Sequence, residues 1–77
     1  MGSPLSKKIA FVGSGQMAEA IIAGLLAANV CRPESLWATD RLPARCDLLK
    51  SRFGVRVGSD NRQAAAWADV VILAVKP

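Results

Sequence analysis

The sequence predicts an α/β fold: a parallel sheet of four strands in the order 3-2-1-4, built β-α-β-α-β-α-β. Three observations lead there. Short apolar runs alternate with segments of helical periodicity, the pattern of strands joined by crossover helices. Within the runs apolarity is continuous rather than every second residue, which suits parallel strands covered on both faces. Between the first run and the first helical segment stand two glycines, Gly13 and Gly15. Right-handed crossovers then give the doubly wound strand order, with its switch point between the first strand and the fourth.

The elements follow in order. Lys8 to Val12 is β-branched and aromatic and stops at Gly13, so it reads as the first strand. Gln16 to Ala28 reads as a helix whose apolar stripe is Met17, Ile21, Leu25 and Ala28, widened by Ile22 and Leu26. Asn29 suits the helix stop, and Pro33 forbids continuation. Leu36 to Thr39 is a second strand ending at Asp40. Leu42 to Phe53 is a second helix, with Leu42, Cys46, Leu49 and Phe53 on one face, Pro43 in its first turn and Gly54 past its end. Val55 to Val57 is a short third strand. Ser59, Asp60 and Asn61 offer caps for a third helix through Trp67. Val70 to Val75 is the strongest strand.

Composition excludes several classes. The 77 residues hold one domain at most. A run as short as Val70–Val75 cannot span a bilayer, which needs roughly 18–20 apolar residues, so no membrane role is expected. Residues 1–6 read as a flexible leader or cloning scar, and residues 7–77 as the folded part, with no secretory signal. Ten basic against six acidic residues give a net charge of +4. The arginines are scattered, however, and Phe11, Trp37, Phe53 and Trp67 lie inside apolar segments rather than between basic residues, which argues against nucleic acid. Two cysteines, Cys31 and Cys46, and no histidine leave no disulfide framework and no metal-ligand set, as expected of a cytoplasmic protein with reduced thiols. No residue is assigned a catalytic role. Glu19 and Asp69 read as helix-turn and loop charges, and Trp37 and Trp67 as packing residues.

Gly13-Ser14-Gly15-Gln16-Met17-Ala18 is G-x-G-x-x-A, placed after a strand and opening a helix. Each position has its own reason: Gly13 for the tight turn, Gly15 for close approach of a pyrophosphate to the backbone, Ala18 for helix-on-strand packing. Amides around Gln16 and Met17 would face the phosphates at the positive end of the helix dipole. The whole is a partial Rossmann arrangement. Asp40 lies 22 residues beyond Ala18, where an acid accepts from an adenine ribose 2′-hydroxyl, as in NAD sites. Arg41 beside it would instead pair with the 2′-phosphate of NADP. Asp40 also suits a helix cap near Pro43.

Three stretches carry a family resemblance: K-K-I-A-F-V-G-S-G-Q-M-A-E-A-I-I-A-G-L, G-V-R-V, and D-N-R-Q-A-A-A-W-A-D-V-V-I-L-A-V-K-P. Together they resemble the pyrroline-5-carboxylate reductase family from Lys7 to Pro77. Coenzyme F420-dependent NADP reductases share the opening and match the remainder less well. The resemblance implies the last step of proline biosynthesis, hydride transfer from NADPH or NADH to 1-pyrroline-5-carboxylate. It implies that Gly13, Ser14, Gly15, Gln16 and Met17 hold the diphosphate. Thr39, Asp40 and Arg41 would hold the adenosine ribose and its phosphate, and Asn61 would lie near the adenosine. Ala74, Val75, Lys76 and Pro77 would line the nicotinamide side. Many members carry Ser or Asn where Asp40 stands, so NADP and NAD both stay open.

Family chains are longer, adding a helical domain that supplies dimerisation and most of the imino-acid site. This chain is therefore expected to be a cofactor-binding portion that does not turn over alone. It is also expected to self-associate through its last strand, an apolar sheet edge. The alternatives are a ligandless Rossmann-like interaction module and an S-adenosylmethionine-binding module. The G-x-G-x-x-A spacing favours the dinucleotide over the latter.

Overall fold

A computed structural model describes residues 7–13 and 15–74. The order is β1 (Ile9–Val12), α1 (Gln16–Ala27), β2 (Leu36–Thr39), α2 (Pro43–Phe53), β3 (Arg56–Gly58), α3 (Asn61–Trp67) and β4 (Val70–Leu73), with a 3-10 turn at Pro33–Ser35. All pairings are parallel, and the strands stand β3-β2-β1-β4, as the sequence predicts. Ser14, Val75, Lys76 and Pro77, expected at the cofactor, lie outside the described residues, as do residues 1–6.

The register sorts the sheet into two faces. Ile9, Phe11, Leu36 and Ala38 pack with Ala18 and Ile22 of α1 and Leu49 of α2 in one buried cluster. Phe11, Ile22, Leu36 and Leu49 have no exposed surface, and burying each contributes roughly 1.5–3 kcal/mol. On the opposite face Trp37 meets Trp67 at the end of α3, edge to face at 5.4 Å between ring centroids. Arg56 lies over both rings, 6.0 Å from the Trp37 centroid and 5.4 Å from that of Trp67. The tryptophans are packing residues that seat α3.

Local chemistry closes each element. Asn29 takes φ 55 and ends α1, while Gly54 takes φ 74 and ends α2. Asp60 caps α3 by accepting from the Gln63 N–H at 3.0 Å. Asp69 ties the amino ends of β1 and β4: its carboxylate accepts from the Lys8 N–H at 2.9 Å, and its own N–H donates to the Lys8 carbonyl at 2.7 Å. Glu19 joins α1 to α2 through Arg45 at 3.2 Å and Arg52 at 2.6 Å. Both acids thus serve structure.

Some boundaries and faces differ from the sequence reading. The buried stripe of α1 runs through Ala18 and Ile22, whereas Met17 is 62% exposed. The glycine turn brings the helix down on Ala18, which rotates Met17 outward. Leu42 is the N-cap of α2 and exposed rather than part of its stripe. The third strand begins one residue later, because Val55 leaves the left-handed turn at Gly54 and is buried in the core before pairing starts. Among the described residues β4 pairs with β1 alone, and Val70, Val71 and Leu73 are exposed.

Candidate functional site

The carboxyl ends of β1, β2 and β3 converge with the starts of α1 and α3. Gly13 leaves β1 with φ 90, a conformation that L side chains rarely adopt, and its N–H donates to the Thr39 carbonyl at 3.1 Å. The turn therefore requires glycine and is anchored to the end of β2. Gly15 is the N-cap of α1, with φ −71 and ψ −171 and no side chain to cap the first turn. The opening N–H groups of α1 have no carbonyl within the helix to meet, and they carry the positive end of its dipole.

Gly15 is informative for another reason. Among the described residues, chain neighbours and the helix's own backbone aside, a Cβ built there has nothing nearer than the Ala74 carbonyl oxygen at 4.0 Å. Its φ is one that any residue adopts. Neither backbone strain nor crowding by those residues demands glycine at this place, between the ends of β1 and β4. A bare glycine at a helix N-terminus leaves the amides open to close approach by an anionic group.

Beside the turn lies a cavity of about 230 Å³ lined by Val12, Gly13, Thr39, Asp40, Arg41, Ser59 and Asn61. A second, of about 280 Å³, is lined by Asp40, Arg41, Pro43, Cys46, Asp47, Gly58 and Ser59. Asp40, Arg41 and Ser59 line both. One Asp40 carboxylate oxygen accepts from the Leu42 N–H at 2.9 Å, so the residue caps the approach to α2 while standing at the cavity wall. Arg41 is exposed. Asn61 begins α3, and its side-chain oxygen accepts from the Thr39 hydroxyl. A larger groove, about 400 Å³, runs past Glu34, Lys50 and Val55 at the amino ends of β2 and β3. Doubly wound sheets bind ligands at the opposite, carboxyl ends, so that groove is not the site.

The structure thus brings Gly13, Thr39, Asp40, Arg41 and Asn61 to one cavity, with Gly15, Gln16 and Met17 at the adjoining helix start and Ala74 across from Gly15. Two wall residues went unread in the sequence. Ser59 registers there only as a cap candidate. Cys46 registers only as part of an apolar face, yet its thiol lies 3.6 Å from the carbonyls of both Asp40 and Gly58, linking the ends of β2 and β3.

Residues 8–77 match the model of the family described as NADP oxidoreductase, coenzyme F420-dependent. The chain is 51% identical over 71 residues to a pyrroline-5-carboxylate reductase of Vibrio alginolyticus, covering 92% of this chain and 26% of that protein. It is 46% identical over 69 residues to the enzyme of the same name from Corynebacterium melassecola, covering 90% and 25%. Among solved structures, a pyrroline-5-carboxylate reductase from Coxiella burnetii superposes with a TM-score of 0.88 at 42% identity, over 95% of this chain and 27% of that one. The chain therefore spans about a quarter of the length of the curated relatives it matches. No helix among the described residues is long and apolar enough to cross a membrane. The match supports a nicotinamide dinucleotide as the cofactor of this domain. The chain belongs to the NADP oxidoreductase, coenzyme F420-dependent family, and its similarity within that family is to the pyrroline-5-carboxylate reductases.

Proposed function

We propose that the chain is the cofactor-binding portion of an NAD(P)H-dependent reductase that converts 1-pyrroline-5-carboxylate to L-proline. Gly15 carries the reading: the fold has room for a side chain there, and the sequence supplies none. The residues present fit a dinucleotide. Gly15, Gln16 and Met17 hold the diphosphate through backbone N–H groups at the start of α1, and Gly13, whose own N–H is spent on the Thr39 carbonyl, makes the turn that leads the chain there. Asp40, Arg41 and Asn61 receive the adenosine half, and Ala74 borders the nicotinamide half. When bound, the dinucleotide supplies the hydride that reduces the C=N bond of the imino acid.

We read the cofactor as NADP. Asp40 directs one carboxylate oxygen to the Leu42 N–H, and Arg41 stands exposed on the cavity wall with a guanidinium suited to a 2′-phosphate. No residue of this chain is given a catalytic role, and the imino-acid site is assigned to parts of the longer relatives that this chain does not span. The chain alone binds cofactor without forming proline. We place it in the cytosol, a reading that the free thiols of Cys31 and Cys46 support. It takes no nucleic acid and no membrane as partner.

Calorimetric titration of NADPH into the chain and into a Gly15→Val variant tests the proposal. Heat of binding is expected for the first and its loss for the second. Equal affinity for both would overturn it.

A further inference from the structure

Thr39 is the buried polar residue of the site. Its side chain has no exposed surface, so it cannot present its hydroxyl to a bound molecule. Burying a hydroxyl is unfavourable unless it is hydrogen-bonded, and Val would fill the same β-branched volume at the end of β2. The hydroxyl has two acceptors within reach, the Phe11 carbonyl at 3.4 Å and the side-chain oxygen of Asn61, which is the nearer. It carries a single proton. Donated to Asn61, that proton occupies the amide oxygen and fixes which way the amide faces. The two N–H groups of Asn61 are then left for another acceptor, and Asn61 lines the cavity with Gly13, Asp40, Arg41 and Ser59.

We propose that Thr39 is a positioning residue: it acts through Asn61, orienting the Asn61 amide so that the site offers a pair of donors to acceptor atoms of the adenosine half of the cofactor. This rests on the dinucleotide reading above. Thr39, expected from the resemblance to touch the ribose itself, works from one residue behind. The class of group recognised is an uncharged or anionic oxygen acceptor, a ribose or phosphate oxygen, and not a hydrogen-bond donor.

Two measurements test it. The first needs no variant: NADPH is titrated into the isotopically labelled chain while the Gly15 backbone amide and the Asn61 side-chain NH₂ signals are followed. Movement of both is expected. Movement of Gly15 with a stationary Asn61 NH₂ pair would overturn the proposal and leave the dinucleotide reading standing. No movement of either would overturn that reading, and the proposal with it. The second compares fragments of the cofactor. Thr39→Val should weaken 2′,5′-ADP about tenfold, the loss of one hydrogen bond's alignment, and leave nicotinamide mononucleotide unchanged. Thr39→Ser should restore the wild-type value. Asn61→Ala should weaken 2′,5′-ADP by a similar factor, and adding it to Thr39→Val should weaken binding no further. A residue that merely stabilises the end of β2 would weaken both fragments alike and add to Asn61→Ala. If Thr39→Val does not fold, the Asn61 signals and the Thr39→Ser and Asn61→Ala affinities still decide the matter.

Discussion

The Asp40 carboxylate accepts the Leu42 backbone N–H at 2.9 Å, so the acid at the end of β2 serves as a cap for the approach to α2. Its neighbour Arg41 shares the same two cavities. Arg41→Ala should therefore weaken NADPH binding by about tenfold to a hundredfold, the range for a charge-assisted hydrogen bond to phosphate. NADH binding should change little. Asp40→Asn keeps an acceptor for the Leu42 N–H and removes a negative charge, and should strengthen NADPH relative to NADH. Fluorescence titrations of the two cofactors against each variant check both outcomes.

The two glycines of the turn should separate stability from binding. Gly13→Ala forces a side chain into φ 90 and should destabilise the chain by about 1–2 kcal/mol. Gly15→Ala meets ordinary backbone and a nearest neighbour at 4.0 Å, so its unfolding midpoint should stay close to wild type while NADPH affinity falls. Urea denaturation followed by tryptophan fluorescence, paired with titration, reads both effects.

Glu19 holds Arg45 and Arg52 together across α1 and α2, with side chains that are 24%, 28% and 54% exposed. Pairs so open to solvent are screened, and Glu19→Gln should lower stability by about 0.5–1 kcal/mol. The difference should shrink as salt rises from low to molar concentration. A salt-independent loss would mean that packing rather than charge is responsible.

Among the described residues β4 pairs with β1 alone, and Val71 and Leu73 are 41% and 69% exposed. We propose that this edge pairs with another copy of the chain. Light scattering should show a mass above 8.1 kDa that rises with concentration. Val71→Lys, a charge placed on the edge, should return it to monomer. A monomeric mass at high concentration for the unmodified chain would count against edge pairing.

Sequence pattern conveyed the strand order because the apolar runs are continuous and the glycine motif fixes where the first strand ends. The cap residues were equally readable: Asp60, Asn29 and Gly54 act where their chemistry predicts. The position of Val70–Leu73 beside β1 at the end of the row was readable too, because the 3-2-1-4 order puts the fourth strand there despite its apolarity. Periodicity misassigned Met17, since the close approach of Ala18 to the sheet rotates the helix by a step that spacing alone does not contain. At the site, the residues within each motif could be found in sequence. The link between Thr39 and Asn61, 22 positions apart, and the thiol of Cys46 beneath the carbonyls of Asp40 and Gly58 depend on how three strand ends meet.

A paired NMR titration of the labelled chain with NADPH and with NADH reads the cofactor site itself. Shifts at Gly13, Gly15 and Gln16 are expected with both, saturating at lower concentration for NADPH. Unmoved amides at all three positions with either cofactor would contradict the dinucleotide reading.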